Sequence, residues 1–136
     1  MAEIHDLQIA DANNTTRWPS GTMTVNQIDN SGRAVEGIIA RQYRDNNGSN
    51  TTTGSGTAYV LNLNRSGVTS NANAGRICVR FHAANSGSCT LQINGLTAKP
   101  LRNKGNAALV TGDIMANDII DLCYNPATDA FQLLGV

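Results

Sequence analysis

Two hydrophobic periods divide this chain. Over residues 24–44 the apolar and small positions return every three or four residues. Val25, Ile28, Gly32, Val35, Ile39 and Gln42 follow at intervals of 3, 4, 3, 4 and 3, the spacing of a heptad seam along one helix face. Ala34 and Ile38 widen the seam. Thr24 stands three residues before Gln27, the S/T-x-x-E/Q arrangement in which a side chain and a backbone amide cap each other at a helix start. Asp45-Asn46-Asn47-Gly48 supplies residues that tolerate the left-handed conformation at a helix end. At about 1.5 Å per residue such a helix is roughly 30 Å long. Gly32 and Gly37 each weaken it by about 1 kcal/mol relative to Ala. A helix this short is marginal alone, so the pattern predicts a partner, either sister helices or the face of a β domain.

From Tyr59 onward the period drops to two, as in half-buried strands. Tyr59, Leu61 and Leu63 alternate with polar neighbours, as do Ile77, Val79 and Phe81, then Leu91 and Ile93. Leu109 and Val110 open a further candidate strand. Ile120, Leu122 and Tyr124 form another, and Phe131 with Leu133 closes the chain. Asn94-Gly95 and the stretch Asn125-Pro126-Ala127-Thr128-Asp129 read as turns. Residues 49–57, rich in Ser, Thr, Asn and Gly, read as a linker. The expected fold class is mainly β: a short N-terminal helix followed by a small antiparallel β sandwich or barrel. The chain divides into an N-terminal arm at 1–22, a helical segment at 23–48 and a β domain at 56–136. A domain of about 80 residues has a modest core, which oligomerisation would help.

Composition narrows the function. Ten basic and ten acidic residues give a formal net charge of zero. No basic run offers a nucleic-acid patch, so no nucleic-acid partner is expected. The absence of a long apolar stretch argues against a membrane partner. Seventeen Asn and thirteen Gly suit short strands joined by tight loops. With 4% aromatics a large stacking platform is not expected. Three cysteines, Cys78, Cys89 and Cys123, are an odd number without a secretory leader, which argues against a disulfide framework and for synthesis in a cytosol. Trp18, alone of its kind, is expected to be buried, in a subunit cleft, on a neighbouring protein or on its own domain.

Two stretches carry a family resemblance. The first is Arg17-Trp18-Pro19-Ser20-Gly21, then Val25-Asn26 and Arg33-Ala34, then Ala40-Arg41-Gln42-Tyr43-Arg44 running into Asp45-Asn46-Asn47-Gly48. The second holds Gly56-Thr57-Ala58-Tyr59, Arg80-Phe81-His82-Ala83-Ala84-Asn85-Ser86-Gly87 and Asn94-Gly95-Leu96-Thr97-Ala98-Lys99-Pro100-Leu101, and ends in Leu109-Val110-Thr111-Gly112-Asp113-Ile114 and Phe131-Gln132-Leu133-Leu134. Together they resemble a recurring trimeric module of phage tail-fibre, head-spike and capsid-decoration proteins, over roughly residues 13–136. The Asn-Gly-Leu-x-Ala-Lys-Pro-Leu segment is the most specific part. The resemblance implies a homotrimer, a helix that attaches or aligns it, a β knob, other virion proteins of capsid or tail as partners, and no catalysis or cofactor. Relatives often continue into a long receptor-binding region, whereas this sequence stops at Val136, which shifts weight from host recognition towards a short knob, spike or cement protein. Trp18, Val25, Ile28, Val35 and Ile39 are the residues expected to hold the assembly, and the virion is the expected location.

Candidate chemistry is sparse. No phosphate-binding loop, nucleophile elbow or His-Glu-x-x-His is present. Cys78 and His82 would share a strand face and Cys89 lies nearby, but zinc wants a fourth ligand, and ordinary strand residues are the simpler reading. Asp113, Asp118 and Asp121 form a carboxylate-bearing stretch that reads as turn chemistry rather than a glycosidase pair. Arg76 and Arg80 alternate outward, towards solvent or towards acids of a neighbouring subunit. The competing function is a receptor- or carbohydrate-binding tip, with Asn-rich loops at 62–75 and 85–89 contacting a glycan or host surface.

Overall fold

The computed structural model describes residues 23–135. Helix α1 (Val25–Asn46) is capped by the predicted box. Gln27 N donates to Thr24 Oγ1 at 3.3 Å and Thr24 N donates to Gln27 Oε1 at 2.7 Å. Arg44 in the last turn complements the negative end of the helix dipole.

The strands are β1 (Thr53–Gly54), β2 (Ala58–Leu61), β3 (Arg76–Arg80), β4 (Thr90–Ile93), β5 (Lys99–Arg102), β6 (Ile119–Asn125) and β7 (Ala130–Leu133). Among the described residues they form one open seven-stranded sheet in the order β1-β2-β4-β5-β7-β6-β3. The pairs β2–β4 and β5–β7 are parallel and the others antiparallel. This corrects the expected mainly β antiparallel sandwich or barrel: the architecture is α+β with a single mixed sheet. Alternation marks a half-buried strand but carries no direction. Parallel neighbours need long crossovers, and those run through 62–89 and 103–129, where β3 and β6 are laid down elsewhere in the sheet.

Other features of the sheet are local. Segment 49–57, which reads as a linker, is bonded into the sheet. Arg80 N donates to Asn50 O at 2.8 Å, Thr52 N donates to Arg80 O at 2.9 Å, and residues 53–54 form β1. One extended stretch therefore touches both β3 and β2. Strand β5 carries Pro100, which argues against a central strand because proline lacks an amide donor. It is accommodated where β5 changes neighbours: Lys99 and Pro100 pair with β4, Leu101 and Arg102 with β7. Leu109 and Val110 form no strand. The nearby contact is an isolated bridge between Arg102 and Ala108.

The alternating positions make the core. Tyr59, Ile77, Val79, Phe81, Leu91, Leu122, Phe131 and Leu133 are all buried in one cluster. Tyr59 meets Phe81 edge to face with centroids 4.9 Å apart, the arrangement the ring quadrupoles favour. Asn94 and Gly95 both take positive φ, 48° and 74°, as a tight primed turn after β4 requires. Buried Asn85 closes the 103–118 excursion: its Nδ2 donates to Gly87 O and Val110 O, both at 2.8 Å, and its Oδ1 accepts from Ile114 N at 2.9 Å.

Candidate functional site

Helix α1 has two apolar faces that meet different surroundings. Ile38 is buried, 1% exposed, and α1 lies against β3. Most of the heptad stripe is exposed, while Gly32, Val35 and Gln42 are partly buried. Val25 is 82% exposed, Ile28 51% and Ile39 60%, while Val35 is half-buried. Tyr43, one turn beyond Ile39, extends the stripe and is 68% exposed. Residues 24–30 are exposed on every side of the helix, so its first two turns stand clear of the knob. A methyl group added at Gly32, in the middle of the stripe, would meet nothing within 4 Å. Of the five residues expected to hold the assembly, the structure thus aligns four on one helix. Trp18 lies outside the described residues.

What holds the helix in this pose is a polar anchor that the pattern did not reveal. Asp45 is 0% exposed and Arg65 1%, and Arg65 Nε donates to Asp45 Oδ2 at 2.7 Å. Asp45 Oδ1 accepts from Asn50 Nδ2 at 2.8 Å, Asn64 N at 2.8 Å and Asn64 Nδ2 at 2.9 Å. Arg65 Nη2 reaches Ala74 O at 2.7 Å. Asn94 ties this loop to the turn after β4, donating to Arg65 O at 3.0 Å and accepting from Leu63 N at 2.8 Å. A buried ion pair is tolerated when its polar atoms find further partners, as both Asp45 oxygens and Arg65 Nη2 do. Its function is geometric: it fixes the last turn of α1 against the β domain and so sets the direction in which the stripe projects. Read linearly, Asp45 is one more polar residue at a helix end, and Arg65 lies twenty positions away in a loop.

The clusters weighed on sequence do not assemble. Cys89 is buried in the core, and burial pushes its thiol up to about 11, with the Asp113 charge adding to the shift. Cys78 lies on the outer side of β3, opposite Asp121. His82 is engaged structurally, its Nδ1 lying 2.9 Å from Thr52 Oγ1 and its Nε2 3.3 Å from Gly54 O. Among the described residues no group of three or more His, Cys, Asp or Glu could hold a metal ion. Asp113 and Asp118 each accept a backbone amide three residues upstream, from Val110 and Met115, both at 2.8 Å. Asp121 pairs with Arg76 of its own chain, while Arg80 is exposed.

No protein-family model matches this sequence, and no curated protein aligns with it significantly. Among the described residues no helix is long and apolar enough to cross a membrane.

Proposed function

We propose that this chain is a non-enzymatic structural protein of a phage particle, a homotrimeric surface knob, spike or short fibre whose α1 helices pack on one another and whose β domain faces outward. The observation that carries the assembly is the exposed heptad stripe on a helix whose first turns have no support from their own β domain. In heptad terms Val25, Gly32 and Ile39 occupy a, and Ile28, Val35 and Gln42 occupy d. Branched residues at both a and d disfavour two strands and favour three or more. Each such side chain fully withdrawn from water contributes about 1.5–3 kcal/mol, enough in sum to offset the poor intrinsic stability of a glycine-bearing helix.

The particle assignment, with capsid or tail proteins as partners and the virion as location after synthesis in the host cytoplasm, draws support from the sequence resemblance around Trp18 and over Asn94–Leu101. Light scattering on the full-length protein tests the assembly, with a trimer mass expected. Ile28→Asp combined with Ile39→Asp is expected to give a folded monomer, because both positions are exposed on the single chain and a carboxylate there costs the knob little. A monomeric parent protein, or a variant that remains trimeric, would exclude the helical seam.

A further inference from the structure

The chain holds two Asn-Gly pairs, Asn47-Gly48 at the end of α1 and Asn94-Gly95 after β4. The structure leaves the first open to chemistry and ties the second down. We infer that Asn47 is a site of spontaneous deamidation, an intramolecular modification whose only co-reactant is water, and that its products loosen the attachment of α1 to the β domain.

The reaction needs an asparagine side chain free to close on the next backbone nitrogen, and no Cβ on the next residue to crowd the ring. Asn47 is exposed and precedes a glycine. Among the described residues its Nδ2 has no hydrogen-bond partner, while its Oδ1 accepts from Ser49 N at 2.9 Å. The ring closed by that hydrogen bond contains the Gly48 nitrogen, so the side-chain carbonyl is held beside the atom that must attack it. The Ser49 amide also polarises this carbonyl and donates to the oxygen on which negative charge develops.

Asn94 has the same neighbour but not the same freedom. It is half-buried, its Oδ1 accepts from Leu63 N at 2.8 Å and its Nδ2 donates to Arg65 O at 3.0 Å. Both bonds hold the amide group against the 63–65 loop, and both must break before it can turn onto Gly95.

The step at Asn47 involves no oxidation or reduction. The Gly48 nitrogen bonds to Asn47 Cγ as its proton passes to solvent, and Nδ2 takes a proton from water and leaves as ammonia. Water then opens the cyclic imide on either side of the nitrogen. Addition at Cγ leaves aspartate. Addition at the backbone carbonyl leaves isoaspartate, with the main chain rerouted through Cβ and Cγ and one carbon longer.

That extra carbon falls in a closed loop. Asn47 is the C-cap of α1. The buried Asp45 precedes it and Asn50 follows, and Asn50 Nδ2 donates to Asp45 Oδ1 at 2.8 Å. Between them Gly48 is buried at φ 76°, where an added Cβ would lie 2.8 Å from Ile119 Cγ2 and 3.6 Å from Cys78 Sγ. A longer chain here moves Gly48 off Ile119 or Asn50 off Asp45. Both products also place a new negative charge at the negative end of the helix dipole. In the heptad register Asn47 falls at b, off the seam, so the inference does not depend on the assembly.

The test is ageing of the full-length protein at mildly alkaline pH, in parallel in native buffer and in concentrated urea, followed by peptide mapping with isoaspartate detection. In urea the two Asn-Gly pairs should convert at equal rates, because sequence alone governs them there. In native buffer Asn47 should stay close to its urea rate, while Asn94 falls about tenfold or more below it, the effect of two hydrogen bonds that must first break. Equal native rates at the two sites, or a slowing of Asn47 by about tenfold on folding, would overturn the assignment. The aged protein should also unfold at lower urea than fresh protein. Asn47→Gln, whose longer side chain closes its ring far more slowly, should start from the parent midpoint and keep it through the same ageing. A decline equal to the parent's in that variant would overturn the link between Asn47 and the attachment of α1. The rate comparison uses the parent protein alone and needs no variant to fold.

Discussion

Arg65→Met tests the anchor that orients α1. The substitution retains an apolar stem of similar length but removes the Nε donor to Asp45 and the Nη2 donor to Ala74 O. Asp45 keeps Asn50 and Asn64 as donors but becomes a buried carboxylate with no counter-charge. Breaking one side of a buried pair costs about 3–5 kcal/mol, including the orphaned Ala74 carbonyl at about 1–3 kcal/mol. Against a domain stability of about 5–15 kcal/mol, that is a large fraction. With a urea slope near 2 kcal/mol per molar for a small domain, the midpoint should fall by roughly 2 M. The assay is urea unfolding followed by far-UV circular dichroism, at one protein concentration so that assembly does not shift the comparison. The double variant Asp45→Ala with Arg65→Met separates pairing from packing. Removing both charges should recover at least about 2 kcal/mol relative to the sum of the single losses. A single variant costing less than about 1 kcal/mol, or a double variant equal to that sum, would refute the view that this pair holds the helix to the β domain.

The remaining predictions concern assembly and titration. The mass of the Ile28→Asp, Ile39→Asp variant should fall from trimer to monomer without loss of the near-UV signal of the β domain, and an unchanged mass would remove α1 from the interface. With a thiol-specific chromophore near pH 8, Cys78 and Cys123, both partly exposed, should react well before Cys89, which is buried and whose thiol is held near 11. Simultaneous labelling of all three would contradict the packing of Cys89 against the core. Burial also pushes the Tyr59 phenol up to about 12, with the nearby Cys89 adding to it, and Tyr59 Oη donates to Ala83 O at 2.8 Å. Because the folded value lies above the unfolded one, this contribution is fully present below pH 10 and is lost as pH rises from about 10 to 12. Urea midpoints should decline over that range, with Cys89 adding a decline from about pH 9 to 11. Tyr59→Phe should remove the upper part of the decline at a cost of about 1 kcal/mol at neutral pH, and an unaltered pH profile in that variant would contradict the assignment.

Local order was legible in the residues themselves. The Thr24/Gln27 cap, the 3–4 spacing of the stripe, the alternating positions that became the core and the Asn94-Gly95 turn all depend on neighbours within a few positions. Backbone geometry converts such spacings directly into a face, an end or a bend. The tertiary structure alone decided the rest. Whether β2 would pair with β3 or lie parallel to β4, whether Pro100 could sit inside a sheet, and whether residues 49–57 would hang loose or stitch β2 to β3 depend on which distant strand supplies the missing hydrogen bonds. No short-range period records that choice. The Asp45–Arg65 anchor belongs to the same category: it gathers residues that look like ordinary turn or surface positions in sequence, and it acquires its physics only when folding removes water from them and brings their polar groups within about 3 Å of one another.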